Sequence, residues 1–421
     1  MTLPILLNRE RANSIMDKYG LDCLLVREKH NVYYFSNYYE PLSEGGWPFA
    51  AFALLPRDKK IPPSLVIPSI SLQRLDKSSP TWMKNIYAYS DYSGRHLNKF
   101  STEDIAKEPE SAIYEGWPNR EKYKLSSLEM KWTERRDEYR NKVSASPIWS
   151  LHRLFKDLGF KNCKIGTDDI RVINWLQETG FQSIKGIDAL NIIREIRIIK
   201  TPAEIELMRQ GAKINESATL EAIQSIKVGS IWPEIISVYA TSLARNGARI
   251  RYLNTYLGGL PNEKIIYGEP FFIDALGEYR YYLADFGRSV VVGSPSKELL
   301  FRINALKNGF KAGLDILKPG IKKSQIAEKI IKEVRSSGFK EFFNVTPHSL
   351  GLEHTDNPIP IGLETNSIKN DFFLEEGMVI NIDMPHVEYG WGAIHIEDTL
   401  LVTKDGFEPL TSLDTDLIVL N

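Results

Sequence analysis

The stretch FFIDALGEYRYYLADFGRS, residues 271–289, places two aspartates in an otherwise apolar and aromatic run. Asp274 and Asp285 stand eleven positions apart, and runs of this composition are typical of buried strands. A buried carboxylate is costly unless a partner compensates its charge. If a hairpin turns at Tyr279-Arg280, the two carboxylates face each other, with Cβ atoms about 5 Å apart. Like charges in that position destabilise a sheet, so the pattern predicts a cation between them.

A second acidic pair repeats this arrangement in NIDMPHVEYGWGAIHIED, residues 381–398. Asp383 and Glu397 are fourteen positions apart, so a hairpin centred on Gly390 brings their carboxylates opposite each other. His395 precedes Glu397 by two residues and therefore points to the same face of the strand. The second pair is thus also expected to form a polar cluster within a sheet.

Four of the seven histidines lie between residues 348 and 395, close to this second pair: His348, His354, His386 and His395. Carboxylates with one or two imidazoles are a suitable ligand set for two divalent metals, and Mn, Co, Fe and Zn all accept such ligands. Each residue alone also has a structural explanation, such as an ion pair, a strand end or a hydrogen-bonded histidine. Their coincidence in predicted buried strands favours a metal site.

Composition excludes several other classes of protein. The length of 421 residues favours two domains, and 43% hydrophobic with 25% charged residues is ordinary for a globular protein. A formal net charge of -1 gives no electrostatic reason to expect nucleic acid or an anionic membrane as a partner. Two cysteines form neither a disulfide framework nor a CxxC zinc site. Because no signal peptide and no run of roughly 18 apolar residues is apparent, we expect a cytoplasmic protein.

The chain changes character near residue 190. Short strands alternating with helices over residues 1–185 predict a small α/β domain. The second predicted domain, residues 196–421, opens with a helix signal in which Thr201 caps, Pro202 takes the first helical position and Glu204 completes a capping box. That helix is expected to run to Gly229, with further helices and strands behind it.

These residues resemble the motifs of the pita-bread metallopeptidases, the group of aminopeptidase P, prolidase, methionine aminopeptidase and creatinase. In that family two aspartates eleven apart precede an Arg-Thr pair, and Arg288-Ser289 follow Asp285 here. A histidine opens an HGxG segment, which His348 matches in HSLG, and two acidic strand residues follow. The resemblance implies an α+β protein, with an N-terminal creatinase-like α/β domain followed by a C-terminal pita-bread catalytic domain.

The resemblance also implies roles for individual residues. The ligands of two divalent ions would be Asp274, Asp285, His348, Asp383 and Glu397. Asp383 would in addition accept the proton of the attacking water, and His354 would pass a proton to the leaving nitrogen. His395 and His386 become candidates for contacting the substrate. Trp47, in EGGWPFAAF, is a further candidate that would reach the active site of the other subunit in a homodimer; alternatively, it packs in the core of its own domain.

Four departures from the family pattern bear on the substrate. Asp383 stands where the family has glutamate, and His395 stands where it has arginine. Residues 251–270 lack the usual histidine upstream of the first aspartate, and His354 follows His348 by six residues instead of seven. We expect a metal-dependent hydrolase of the Xaa-Pro dipeptidase or aminopeptidase P type, acting on a dipeptide or another small molecule. The alternatives are an osmolyte hydrolase or lyase on the same fold, a metal-free creatinase-like amidinohydrolase, and a binding module.

Overall fold

The computed structural model describes residues 4–47, 50–90, 116–120, 122–359, 371–412, 414–415 and 417–421. The chain divides into two compact units, Met1–Ile196 and Arg197–Asn421. The division falls within the helix Leu190–Arg197, next to residue 196, where the second predicted domain begins. In the described part of the chain, no helix has both the length and the apolar character needed to cross a membrane.

The N-terminal unit is an α/β fold around a mixed sheet. Its strands are β1 (Cys23–Val26), β2 (Phe52–Pro56), β3 (Ser64–Pro68), β4 (Asn85–Tyr89), β5 (Val143–Ser144), β6 (Lys164–Thr167) and β7 (Lys185–Asp188). Its helices are α1 (Arg9–Tyr19), α2 (Lys29–Ser36), α3 (Pro41–Glu44), α4 (Ser127–Tyr139), α5 (Pro147–Asp157), α6 (Arg171–Glu178) and α7 (Leu190–Arg197), with a 3₁₀ helix at Ser69–Asp76.

The strand order in this sheet is β5-β4-β3-β2-β1-β6-β7. Strand β2 is antiparallel to both of its neighbours, and the remaining pairs are parallel. The apolar core lies between the central strands and the helices, and includes Leu25, Phe52 and Leu151. Trp47 follows α3 and is 43% exposed, so the interpretation that it packs in the core of its own domain is wrong.

The C-terminal unit is built on a larger, mainly antiparallel sheet. Its helices are α8 (Pro202–Gln224), α9 (Trp232–Arg245), α10 (Lys297–Leu314) and α11 (Lys323–Ser336). Its strands are β8 (Arg249–Asn254), β9 (Phe271–Tyr279), β10 (Tyr282–Val292), β11 (Thr346–Ser349), β12 (Val379–Asp383), β13 (His386–Glu388), β14 (Gly392–Ile394), β15 (Ile396–Val402), β16 (Phe407–Pro409) and β17 (Ile418–Leu420).

The main sheet has the order β11-β12-β15-β10-β9-β8, with β16 added to β15 and β17 added to β10, while β13 and β14 form a separate hairpin. Helices α8 and α9 pack against β9 and β10 in one apolar cluster that includes Ile223, Leu243 and Ile273. Helices α10 and α11 pack in a second cluster that includes Ile330 and Leu400. The helices therefore cover one face of the sheet, and Asp274, Asp285 and the other predicted ligands lie on the opposite face.

Helix α8 begins as the sequence predicts. Thr201 Oγ1 accepts a hydrogen bond from the Glu204 amide at 3.3 Å, and Glu204 Oε2 accepts one from the Thr201 amide at 2.8 Å. The helix ends at Gln224 and not at Gly229, because a turn follows in which Ser230 Oγ accepts a hydrogen bond from the Lys227 amide.

Asn215 of α8 joins this helix to both strands of the β9–β10 hairpin. Its Nδ2 donates to the carbonyl oxygens of Ala275 and Ala284 at 2.7 and 2.9 Å, and its Oδ1 accepts a hydrogen bond from Tyr239. Gly211, one turn earlier, leaves space beside the hairpin, since an added Cβ would make an ordinary contact at 3.5 Å with Tyr279 Cβ. The back of the hairpin is thus fixed by a polar anchor and close helix packing.

Buried charges hold the loop that follows β11. Asp356 accepts hydrogen bonds from Arg197 Nη2 at 2.5 Å and from Lys200 Nζ at 2.6 Å, and Arg197 also pairs with Glu353. Arg197, Lys200 and Asp356 are all at most 4% exposed. A Cβ at Gly351 would collide with the Asp356 carboxylate and the Lys200 ammonium group, which explains the glycine of HSLG. We call Arg197, Lys200 and Asp356 the charge lock.

We expect Asn215→Ala to lower the free energy of unfolding by about 2 to 4 kcal/mol, because it removes two hydrogen bonds and leaves the buried Tyr239 hydroxyl without its acceptor. Gly211→Ala on the same helix should raise it by up to about 1 kcal/mol, because alanine favours helix over glycine. Urea denaturation of both variants measures these changes. If Asn215→Ala left the free energy of unfolding unchanged, the hydrogen bonds of Asn215 to the hairpin would be dispensable for stability.

We expect Asp356→Asn to lower the free energy of unfolding by about 3 to 5 kcal/mol, because it leaves buried Lys200 without its counter-charge and Arg197 with Glu353 alone. Arg209→Gln is the control, since the Arg209–Glu408 pair is 41% and 43% exposed and should contribute at most about 1 kcal/mol. The same denaturation measurement compares the two. Equal losses would contradict a special contribution of the charge lock.

Candidate metal centre

The register of the second acidic pair agrees with the sequence prediction. Asp383 of β12 lies directly opposite Glu397 of β15, and the intervening β13–β14 hairpin is centred on Gly390. His348 of β11 lies opposite Asn381, two residues before Asp383. Because alternate residues share a face, His348, Asp383 and Glu397 all lie on the sheet face that the helices leave uncovered.

The turn of the first hairpin lies one residue later than predicted, which shifts the register of the first acidic pair by two residues. Arg280 and Tyr281 form the two-residue turn, with φ of 49° and 69°, the conformation that joins strands in a tight hairpin. Asp274 therefore lies opposite Gly287 and not opposite Asp285, so the predicted direct facing was wrong. The two aspartates remain diagonal neighbours on the same face, since Asp285 and Gly287 are two residues apart.

The polar side chains on this face form one continuous cluster. The cluster contains three groups of residues, and within each group the potential ligand atoms all lie within 4.8 Å of one another. Asp285 belongs to two of these groups, and so does Glu397. The groups are Asp274, Asp285 and Glu397; Asp285, His348 and His354; and Asp383, His395 and Glu397. The structure thus brings together all five predicted ligands and two further histidines.

Several buried ligand atoms in the cluster have no hydrogen-bond partner among the described residues: Asp274 Oδ1, Asp285 Oδ1, Glu397 Oε2 and His348 Nε2. Buried polar atoms are normally paired, so such a concentration is unusual. The other ring nitrogen of His348, Nδ1, lies 2.8 Å from the His354 carbonyl oxygen. That contact places the proton on Nδ1 and leaves Nε2 with a free lone pair, as in a metal-binding histidine.

Electrostatics also fit a cation in this cluster. Burial and the neighbouring Asp285 carboxylate raise the pKa of Asp274 to about 7. Burial raises the pKa of Glu397 well above its ordinary value, and the charges of Asp285 and Asp383 add to that effect. Carboxylates that repel one another in this way bind a divalent cation readily, because its charge compensates theirs. The donor set therefore fits one or more divalent metal ions.

Neighbouring residues orient these carboxylates. Asn381 Nδ2 donates to Glu397 Oε1 at 3.0 Å, and Thr399 Oγ1 donates to the Asp285 carbonyl oxygen at 3.0 Å. Asp398, next to Glu397, points to the other face and pairs with buried Arg288 at 2.8 Å. The Glu397-Asp398 pair thus has two separate roles, and Glu397 is not a surface strand end.

His354 lies at the accessible edge of the cluster. Its Nε2 is 3.2 Å from Asp285 Oδ2, and its side chain is 45% exposed. The ring stacks on His348 with centroids 4.4 Å apart and planes 23° apart. The contact with Asp285 raises the pKa of His354 above its ordinary value, against the opposing effect of burial. An accessible imidazole in this position is suited to exchanging a proton with a bound molecule.

The three predicted substrate contacts have different surroundings. His395 lies within the cluster, with Nε2 2.7 Å from Asp383 Oδ1. The structure does not bring His386 to the carboxylates, because its ring packs against Phe339 at 4.6 Å between centroids. Trp47 belongs to the N-terminal unit. The substrate roles of all three stay predictions.

Sequence reasoning missed Tyr252. Its ring lies 6.5 Å from that of His354, and burial together with the charges of Asp285 and Asp274 raises its pKa far above the ordinary value. A register irregularity between Ile250 and Tyr252 shifts the alternation of β8. Strand alternation read from the sequence therefore could not assign Tyr252 to this face, although an aromatic residue upstream of the first aspartate was visible.

Comparisons with known proteins agree with this architecture. Residues 206–404 match the family described as metallopeptidase family M24, and residues 8–126 match the creatinase/prolidase N-terminal domain. The Xaa-Pro dipeptidase of Pyrococcus horikoshii is 31% identical over 260 residues, which cover 58% of this chain and 70% of that protein. The Xaa-Pro dipeptidase of Pyrococcus furiosus is 29% identical over 261 residues, covering 59% of this chain and 72% of that protein.

Solved structures share the whole fold. The prolidase from Pyrococcus horikoshii OT3 superposes with a TM-score of 0.66 at 20% identity, covering 97% of this chain and 99% of that chain. The Xaa-Pro dipeptidase from Bacillus anthracis superposes with a TM-score of 0.69 at 19% identity, covering 98% and 99%. The predicted fold, a creatinase-like domain followed by a pita-bread domain, is confirmed. The chain belongs to metallopeptidase family M24 and is a metal-dependent peptidase.

Proposed function

We propose that this protein is a dinuclear metal-dependent peptidase that hydrolyses Xaa-Pro dipeptides. The observation that carries the proposal is the set of buried, unpaired ligand atoms on one sheet face, whose charge divalent cations would compensate. Relatives that are about 30% identical are Xaa-Pro dipeptidases, which supports the substrate class.

Five residues would hold the metals: Asp274, Asp285, His348, Asp383 and Glu397. When bound, two divalent ions supply Lewis-acid activation of a water molecule and of the scissile carbonyl group. Manganese, cobalt, iron and zinc all accept this set of carboxylate and imidazole ligands.

Protein groups around the cluster supply the proton transfers. Asp383 is the proposed acceptor of the proton from the attacking water, since its carboxylate lies within the ligand cluster beside Glu397. His354, at the accessible edge, is the proposed donor to the leaving nitrogen. Tyr252 stays protonated because its pKa is raised, so its hydroxyl is available to hydrogen-bond the substrate.

We further propose that the protein acts as a cytoplasmic homodimer, as the sequence and the family resemblance suggest. The 43% exposure of Trp47 is compatible with a contact to the active site of the other subunit. His386 and His395 are retained as candidates near the substrate. His386 packs against Phe339, so it would act on the shape of the pocket through that ring.

Removal of metal with a chelator should abolish hydrolysis of an Xaa-Pro dipeptide and lower the thermal unfolding midpoint, because the buried carboxylates then repel one another. Addition of Mn²⁺, Co²⁺, Fe²⁺ or Zn²⁺ should restore both, with two ions bound per chain by elemental analysis. Asp285→Asn should lose bound metal, since Asp285 belongs to two of the three ligand groups.

The matched control is Glu388→Gln, which neutralises a carboxylate of the adjacent β13–β14 hairpin that pairs with Arg302 and lies outside the cluster. This variant should retain the metal content of the wild type. A wild-type protein that hydrolyses the dipeptide at full rate with no bound metal would refute the proposed function.

His354→Asn should lower kcat for an Xaa-Pro dipeptide by about 10²- to 10⁴-fold, the usual contribution of a positioned proton donor. Its metal content should equal that of the wild type, because the five proposed ligands are intact. Steady-state kinetics with metal analysis on the same sample separates the two effects. An unchanged kcat would exclude His354 as the proton donor.

A further inference from the structure

His395 is a buried histidine whose ring is directed at the carboxylates of the cluster. The residue is 1% exposed, and its Nδ1 has no hydrogen-bond partner among the described residues. Its Nε2 lies 2.7 Å from Asp383 Oδ1, which is an ion-pair distance, and 3.6 Å from Glu397 Oε2. The imidazole is therefore directed at the same carboxylate oxygens that form one side of the cluster.

The surroundings hold the His395 ring in this position. Ser289 Oγ accepts a hydrogen bond from the His395 amide at 2.8 Å and donates one to its carbonyl oxygen at 2.9 Å. The edge of Phe272 packs on the ring with centroids 5.1 Å apart. A Cβ at Gly287 would come within 2.8 Å of Nδ1, so the absence of a side chain there makes room for the imidazole.

A purely structural histidine explains these features poorly. An ion pair with Asp383 alone would leave Glu397 Oε2 and His395 Nδ1 without partners among the described residues, and buried polar atoms are normally paired. His395 is almost fully enclosed by protein, so its ring is directed into the cluster and not toward solvent. A metal ligand at Nε2 would explain both the direction of the ring and the unpaired Glu397 oxygen beside it.

We propose that His395 is a further nitrogen ligand of the metal centre, binding through Nε2 on the side formed by Asp383 and Glu397. The inference rests on the proposed metal centre and goes beyond its five ligands. With His348, it gives the centre two imidazole ligands, a composition that suits zinc or cobalt better than magnesium or calcium.

The test uses full-length protein, stripped with a chelator and reconstituted with Zn²⁺ alone. Zinc X-ray absorption counts the imidazoles per zinc, and competition with a chromophoric chelator gives the affinities of the sites. His395→Gln should lower the average count by half an imidazole per zinc, because the loss of one ligand is averaged over two zinc ions. It should weaken at least one site by about 10-fold or more, since even outer-shell changes cost about 10- to 100-fold.

The control is His386→Gln in the same hairpin segment. His386 pairs with Ile394 in the β13–β14 ladder, which places it on the face opposite to that of His395. This variant should change neither the imidazole count nor the zinc affinity. His395→Asn, smaller and also uncharged, repeats the test if the glutamine variant does not fold.

Two results would overturn the inference, and they are distinguishable. If the wild type binds zinc and His395→Gln has the same imidazole count and affinities, His395 is only the ion-pair partner of Asp383 and the proposed function is unaffected. If the wild type binds no zinc, cobalt, manganese or iron, the metal centre itself is absent and both proposals fall.

Discussion

The repulsion among carboxylates on one face of the C-terminal sheet is the constraint on which the rest of this structure depends. Asp274, Asp285, Asp383 and Glu397 come from four neighbouring strands and point into the same space. No lysine or arginine among the described residues pairs with them. Such a group is unstable by itself, and the proposed divalent cations are the simplest source of the missing positive charge.

Acidic residues elsewhere in the same unit are treated differently. Asp398 is adjacent to Glu397 in sequence but faces the other way and pairs with Arg288, while buried Glu278 pairs with Arg249. Asp356 is held by the charge lock. These three buried acids thus each pair with an arginine or lysine of the chain, whereas the carboxylates of the candidate centre have only histidines beside them among the described residues. This contrast distinguishes the proposed ligands from ordinary buried acids.

The scaffold around the cluster restricts its movement. Asn215 fixes the β9–β10 hairpin from behind, and the charge lock fixes the loop that carries His354. Ser289 and Gly287 define the place of the His395 ring. Preorganised ligands lose little conformational entropy when they bind, so rigid support of this kind favours tight metal binding. Of the departures from the family pattern, Asp383 and His395 lie within the cluster and His354 lies at its accessible edge.

Residue type and spacing by themselves determined the capping box of α8 and the two acidic pairs, and the motifs that resemble the family implied the five predicted ligands. The pairing of Asp383 with Glu397 also followed from their symmetric distance about Gly390. Only the tertiary structure decided the features that depend on local backbone conformation, namely the exact strand register and the face on which a residue lies. The turn at Arg280-Tyr281 changed the partner of Asp274, and the irregularity in β8 turned Tyr252 to the site. A turn of two non-glycine residues in the left-handed conformation has no reliable sequence signal, and neither does a bulge. Both are imposed by the pairing of strands that are distant in sequence.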